Sequence, residues 1–137
     1  MTLKKPQEIH ALLDANTAVQ LGKALEPYRI MYYEEPTLPT NVKDFTHIKN
    51  HCEIPLATGE RLYTRWDFRP FLEDRAVDII QPDLCNTGGI TEIKKIIDMA
   101  DVYDIRTQIH VCGGPIATAA ALQVEAAMNH FVIHEEH

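Results

Sequence analysis

The chain has no apolar run near the roughly 18 residues that a membrane-spanning helix needs, so no membrane span is expected. Its three cysteines, Cys52, Cys85 and Cys112, include no C-x-x-C pair. An odd, scattered set points to reduced thiols in a cytoplasmic protein rather than to a disulfide frame. Lys4 and Lys5 have no apolar stretch behind them, so Met1–His10 does not read as a secretory leader. Basic charge is scarce, with 13 Lys and Arg against 20 Asp and Glu and a formal net charge of −7. A phosphate backbone wants the opposite balance, so nucleic acid is not an expected partner. The acidic surplus suits plain solubility, and it equally suits a site that gathers carboxylates around a cation. G-x-G-x-x-G is absent. Gly88-Gly89 and Gly113-Gly114-Pro115 precede helical patterns, where tight turns and phosphate binding explain them equally well. Low-complexity segments, charge blocks and linkers are also missing.

What is present is a regular alternation within 137 residues, a length that suits one domain, 1–137. Five short apolar runs have strand length and end at Pro, Gly or a polar residue. They are Ile30–Tyr33, Ile54–Thr58, Val77–Gln81, Ile105–Ile109 and Phe131–His134. Between them lie helical patterns. Thr17–Glu26 carries Val19, Leu21 and Leu25 and stops at Pro27. Val42–Cys52 sets Phe45 and Ile48 on one side, and Arg65–Glu73 carries Trp66, Phe68, Phe71 and Leu72. Thr91–Tyr103 spaces Ile93, Ile96, Ile97 and Ala100 as one apolar face. Pro115–Met128 opens with proline in its first turn. The strands begin about 25 residues apart, room for a strand, a helix and two short loops. Such crossovers give a parallel α/β sheet, either a piece of a (β/α)₈ barrel or an open doubly wound sheet.

The chemistry lies at the strand ends. In order they are Glu34, Glu60, Asp83, His110 and Glu135. Parallel strands bring these ends to one face, and a barrel converges them on one pocket. Carboxylates sharing a pocket repel each other unless a cation lies between them, and hard oxygen donors suit Mg²⁺. A histidine beside a carboxylate is a tunable base. Any single polar strand end is explained equally well by solvent, but the series as a whole is not.

Tyr33-Glu34-Glu35-Pro36, Ala57-Thr58-Gly59-Glu60-Arg61, Asp78-Ile79-Ile80-Gln81-Pro82-Asp83-Leu84 and Gly88-Gly89-Ile90-Thr91-Glu92 occur in this order. Together they resemble the enolase superfamily, in its mandelate racemase-like branch among galactonate and mannonate dehydratase-like members. The resemblance implies a TIM-type barrel that binds Mg²⁺ through acids at the ends of three consecutive strands. Glu34 and Glu60 match the second and third of those acids. The stretch Glu8-Ile9-His10 matches a D-x-H motif, with Glu8 in place of Asp. The extra methylene moves the carboxylate by about 1.5 Å. Glu35 points to the other face of its strand. Asp83 and His110 match the family's Asp–His dyad. The resemblance makes His110 the base that takes the α-proton and His10 the acid on the leaving β-hydroxyl. Glu135 faces the enediolate, and the product is a 2-keto-3-deoxy acid. Arg61 follows a metal ligand, where contact with a substrate oxygen and a surface salt bridge are both open.

Other residues receive plainer readings. Trp66 and Phe68 are read as packing, and Cys112 as a buried, inert thiol. His130, His134 and His137 straddle a loop and a strand, so no zinc site is expected. A full barrel needs roughly 250 residues. The chain is therefore read as a partial barrel without the first strands and the capping domain of the family. Open sheet edges invite self-association into a homo-oligomer. Two functions remain: a sugar-acid dehydratase, or a non-catalytic oligomerising barrel fragment. A racemase or cycloisomerase is a lesser alternative, against which His10 speaks.

Overall fold

The computed structural model describes residues 6–136. Met1–Lys5 of the leader reading and His137 of the histidine group lie outside the described residues. The chain folds into successive βα units. β1 is Gln7–Glu8, β2 Tyr33–Glu34, β3 Leu56–Thr58, β4 Ile79–Ile80 and β5 Arg106–Thr107. All pairs are parallel, and the sheet order is β1-β2-β3-β4-β5, the same as the chain order. Every connection is therefore a crossover through a helix to the neighbouring strand, which is how a barrel wall grows.

The helices are α1 Ala15–Leu25, α2 Val42–His51, α3 Arg65–Glu73, α4 Ile90–Asp101 and α5 Pro115–Glu125. Their starts follow local chemistry. Asp14 accepts hydrogen bonds from the Asn16 and Thr17 amides, each 3.0 Å long. Thr64 and Asp67 close a reciprocal capping box at α3. Proline opens α5, where its missing N–H leaves no bond unmade. None of the described helices is long and apolar enough to cross a membrane.

Strand alternation sorts the core into two layers. Tyr33, Leu56 and Ile80 face the helices and pack with Phe45, Ile48, Phe68 and Ile96. Tyr32, Ala57 and Ile79 face the other way and form a small inner cluster. The expected face of α4, Ile93, Ile96, Ile97 and Ala100, is buried throughout.

Several expectations need correction. β1 adds a strand that the five apolar runs did not include, because Gln7 and Glu8 carry no apolar signal. Phe131–His134 does not form a full strand. Among the described residues it contributes one bridge, Thr107 to Phe131. Trp66 is not packed inside: it is 66% exposed, and the Arg65 guanidinium lies 4.8 Å above its ring. Cys112 is exposed rather than buried.

Candidate active site

Three carboxylates meet at the carboxyl ends of the first three strands. Glu8 closes β1, Glu34 closes β2, and Glu60 lies two residues beyond β3. The first two are direct partners in the parallel register. Oxygens of Glu8, Glu34 and Glu60 all lie within 4.8 Å of one another. Gly59 is what lets the chain turn Glu60 into this group. Its φ is +153°, and a Cβ there would lie 2.6 Å from the Gln81 backbone. Only glycine fits so close an approach.

Crowding shows in the proton affinities. Burial, then a hydrogen bond to Glu8 and the nearby negative charges, push the Glu34 carboxyl up to about 8. Glu60 is also raised, chiefly by burial, with His110 working in the opposite direction. Glu34 is only 7% exposed, so little water is present to spread its charge.

Asp83 and His110 are joined twice. Their backbones form a bridge, and the His110 Nδ1 lies 2.7 Å from Asp83 Oδ2. The other oxygen of Asp83 accepts from the amides of Cys85 and Asn86, at 2.6 and 3.0 Å. The carboxylate is thus fixed by the turn that follows it, with one oxygen left to hold the imidazole. The far nitrogen of His110, Nε2, lies 3.1 Å from Glu60 Oε2. His110 therefore stands between the dyad and the carboxylate group.

A cavity of about 560 Å³ opens over these groups. Glu8, His10, Glu34, Glu60, His110 and Glu135 all line it. His10 sits in left-handed backbone at φ 55°, and its Nδ1 lies 3.3 Å from Glu8. Glu135 Oε2 accepts from the Val111 amide at 3.0 Å. Asp83 stands behind His110 rather than in the cavity wall. Arg61 is outside this wall as well; its guanidinium contacts Glu35 and Glu60. The histidines near the end of the chain have separate partners: Asp101 for His130 and Glu125 for His134.

Tyr32 and Gln108 also line the cavity, linked by a 2.6 Å hydrogen bond from the tyrosine hydroxyl. Reading the sequence alone misses both. Their signal is period two: each stands two residues before a site residue, Glu34 or His110, on the same strand face.

Parallel βα units in chain order, with acids and a histidine gathered at their carboxyl ends, define part of a (β/α) barrel with a strand-end site. The chain belongs to the enolase C-terminal domain-like family, whose model matches residues 7–137. Over 118 residues it is 43% identical to a D-galactonate dehydratase of Ralstonia pickettii (strain 12J), covering 86% of this chain and 31% of that protein. A member of the enolase superfamily from Salmonella Typhimurium superposes with a TM-score of 0.95 at 53% identity, across 98% of this chain and 34% of the other. An enolase from Agrobacterium radiobacter, crystallised with Na and L-malate bound, superposes with a TM-score of 0.93 at 38% identity. It covers 98% of this chain, which corresponds to 34% of its own. The chain thus spans about a third of the length of the relatives it matches.

Proposed function

We propose that this chain carries the cation-binding and proton-transfer residues of a Mg²⁺-dependent sugar-acid dehydratase. The observation that carries the reading is the convergence of Glu8, Glu34 and Glu60 within 4.8 Å, on the same cavity as His110. Three hard oxygen donors at that spacing suit Mg²⁺, which takes a few carboxylates and leaves places for substrate oxygens. The raised proton affinity of Glu34 supports the fit, since a group so pressed to stay neutral gains most from a neighbouring positive charge. Bound there, the cation supplies charge to the substrate carboxylate and eases loss of the proton on the adjoining carbon.

The chain's own residues do the rest. His110 takes the α-proton at Nε2, turning from Glu60 to the substrate, while Asp83 keeps hold of Nδ1. His10, with its side chain 68% exposed at the rim, gives a proton to the departing β-hydroxyl. Water leaves, and the enol that remains becomes a 2-keto-3-deoxy acid. Glu135 hydrogen-bonds the enediolate as it develops. Arg61 lies outside the cavity wall, so its guanidinium holds Glu35 and Glu60 rather than a substrate oxygen. The substrate class follows from the relatives named D-galactonate dehydratase. The same reading includes self-association in a cytoplasmic setting, with the sheet edges as the contact.

Calorimetric titration with Mg²⁺ tests the reading. Binding is expected, and Glu60→Gln should abolish it. A screen of aldonic and aldaric acids for keto-acid formation then tests the chemistry. No binding at millimolar Mg²⁺ would sink the proposal.

A further inference from the structure

The acid next to Glu34 is completely buried, yet it lies outside the cavity. Glu35 is 0% exposed and is absent from the cavity lining. A carboxylate in such a place survives only with full pairing. One oxygen accepts from the Thr58 hydroxyl at 2.7 Å. The other meets the Arg61 terminal nitrogen Nη1. That same nitrogen lies 3.0 Å from Glu60 Oε1. One guanidinium nitrogen therefore bridges a buried carboxylate and a member of the carboxylate group. The second oxygen of Glu60 is the one that faces His110.

The backbone is clamped to match. Glu35 has a φ of 41°, left-handed and unusual for a residue with a side chain. Its amide donates to Ala57 at 3.0 Å, and its carbonyl accepts from Ala11 at 2.7 Å. Such a conformation persists only where the surroundings fix it, and it collects at functional sites.

We infer that Glu35 is a positioning residue of the cation site, acting through Arg61 on Glu60. The inference rests on the cation-site reading above. One effect follows from the geometry: Glu35 cancels the arginine's charge, so that Arg61 does not compete with a cation for Glu60. Without Glu35, an unbalanced positive charge would sit directly on one of the three ligands.

The test measures Mg²⁺ binding by calorimetry on the intact chain. Glu35→Gln is expected to weaken binding by about tenfold, the scale of one charge about 6 Å from a divalent ion at water-like screening. The double variant Glu35→Gln with Arg61→Gln removes both charges together. It should return to within about threefold of the original affinity. A merely structural role predicts the reverse, since a second buried change would add to the damage. Equal binding by Glu35→Gln and the original chain would overturn the inference, as would a double variant no better than the single one. Should Glu35→Gln alone not fold by circular dichroism, the double variant decides: retained affinity supports the inference and lost affinity overturns it. A chain that binds no Mg²⁺ at all removes the cation-site reading itself. Binding that ignores Glu35 removes only this inference.

Discussion

At the scale of single residues, Glu34 contributes to how the cation-free protein responds to pH, alongside the raised carboxyls of Glu60 and Glu125. Its carboxyl ordinarily titrates near 4.5 and is held up to about 8 in the fold. Between those values the unfolded chain has released the proton and the folded chain still holds it. Stability therefore falls as pH rises through that window. Below it, both states are protonated and the dependence vanishes. Thermal melting in the presence of a chelator should show the loss from about pH 5 to 8. Glu34→Gln should flatten the curve, and an unchanged slope would assign the effect to other groups. Residue by residue, Glu34, Glu60, Asp83, His110 and Glu135 are legible because each stands where an apolar run gives way, whereas Glu8 follows no such run and is reached only through the family resemblance. The role of Glu35 is not. Adjacent side chains diverge across a strand, and nothing in the local pattern says that Arg61 waits on the other side. Cys112 misleads because two residues beyond His110 the chain has already left the sheet for an exposed turn.

At the scale of elements, the turn after β3 is the most demanding. Gly59 packs its α-carbon against the Gln81 backbone, and Glu60 follows directly. Gly59→Ala would drive a methyl group into main chain, which has no rotamer to escape into. The expected loss is about 1–3 kcal/mol, read as a lower urea midpoint with an unchanged slope. Full retention of the midpoint would show that the β3 turn can shift to make room. The helices are legible because their apolar faces repeat, and α4 buries all four residues of its face. The apolar runs mark where the strands lie but overstate their length, since a ladder needs a hydrogen-bonding neighbour as well as an apolar run. Phe131–His134 shows the limit. The Thr107 amide donates to His130 and the Val132 amide to Thr107, at 3.0 and 3.1 Å. Those two bonds sustain one bridge and no more.

At the scale of the whole molecule, β1 is paired on one side only among the described residues, and the Phe131 end closes the other margin with a single bridge. Phe131 and Ile133 are each 44% exposed there. Unpaired edges beside apolar side chains favour association. Light scattering should give a mass above the 15.6 kDa of one chain. A stable monomer across the micromolar range would count against it. This much of the architecture is legible, because evenly spaced strands and helices leave few topologies. How the wall is arranged at its margins is not, since edge strands such as Gln7–Glu8 are short and polar.

The chain-ordered sheet also has a consequence for local opening. Each unit leans on its sequence neighbour, so the wall can fray from a margin while its middle stays shut. The Gln7 and Ile9 amides, which donate to Tyr32 and Glu34, belong to the marginal unit. The Asp78 and Gln81 amides, which donate to Leu56 and Thr58, belong to the interior β3–β4 ladder. In deuterium exchange the first pair should label well ahead of the second. Glu8 travels with the first pair, so the three-carboxylate group loses a member through a motion that leaves the core intact. Occupancy of the site would then slow exchange at Gln7 and Ile9 before it altered any global melting curve.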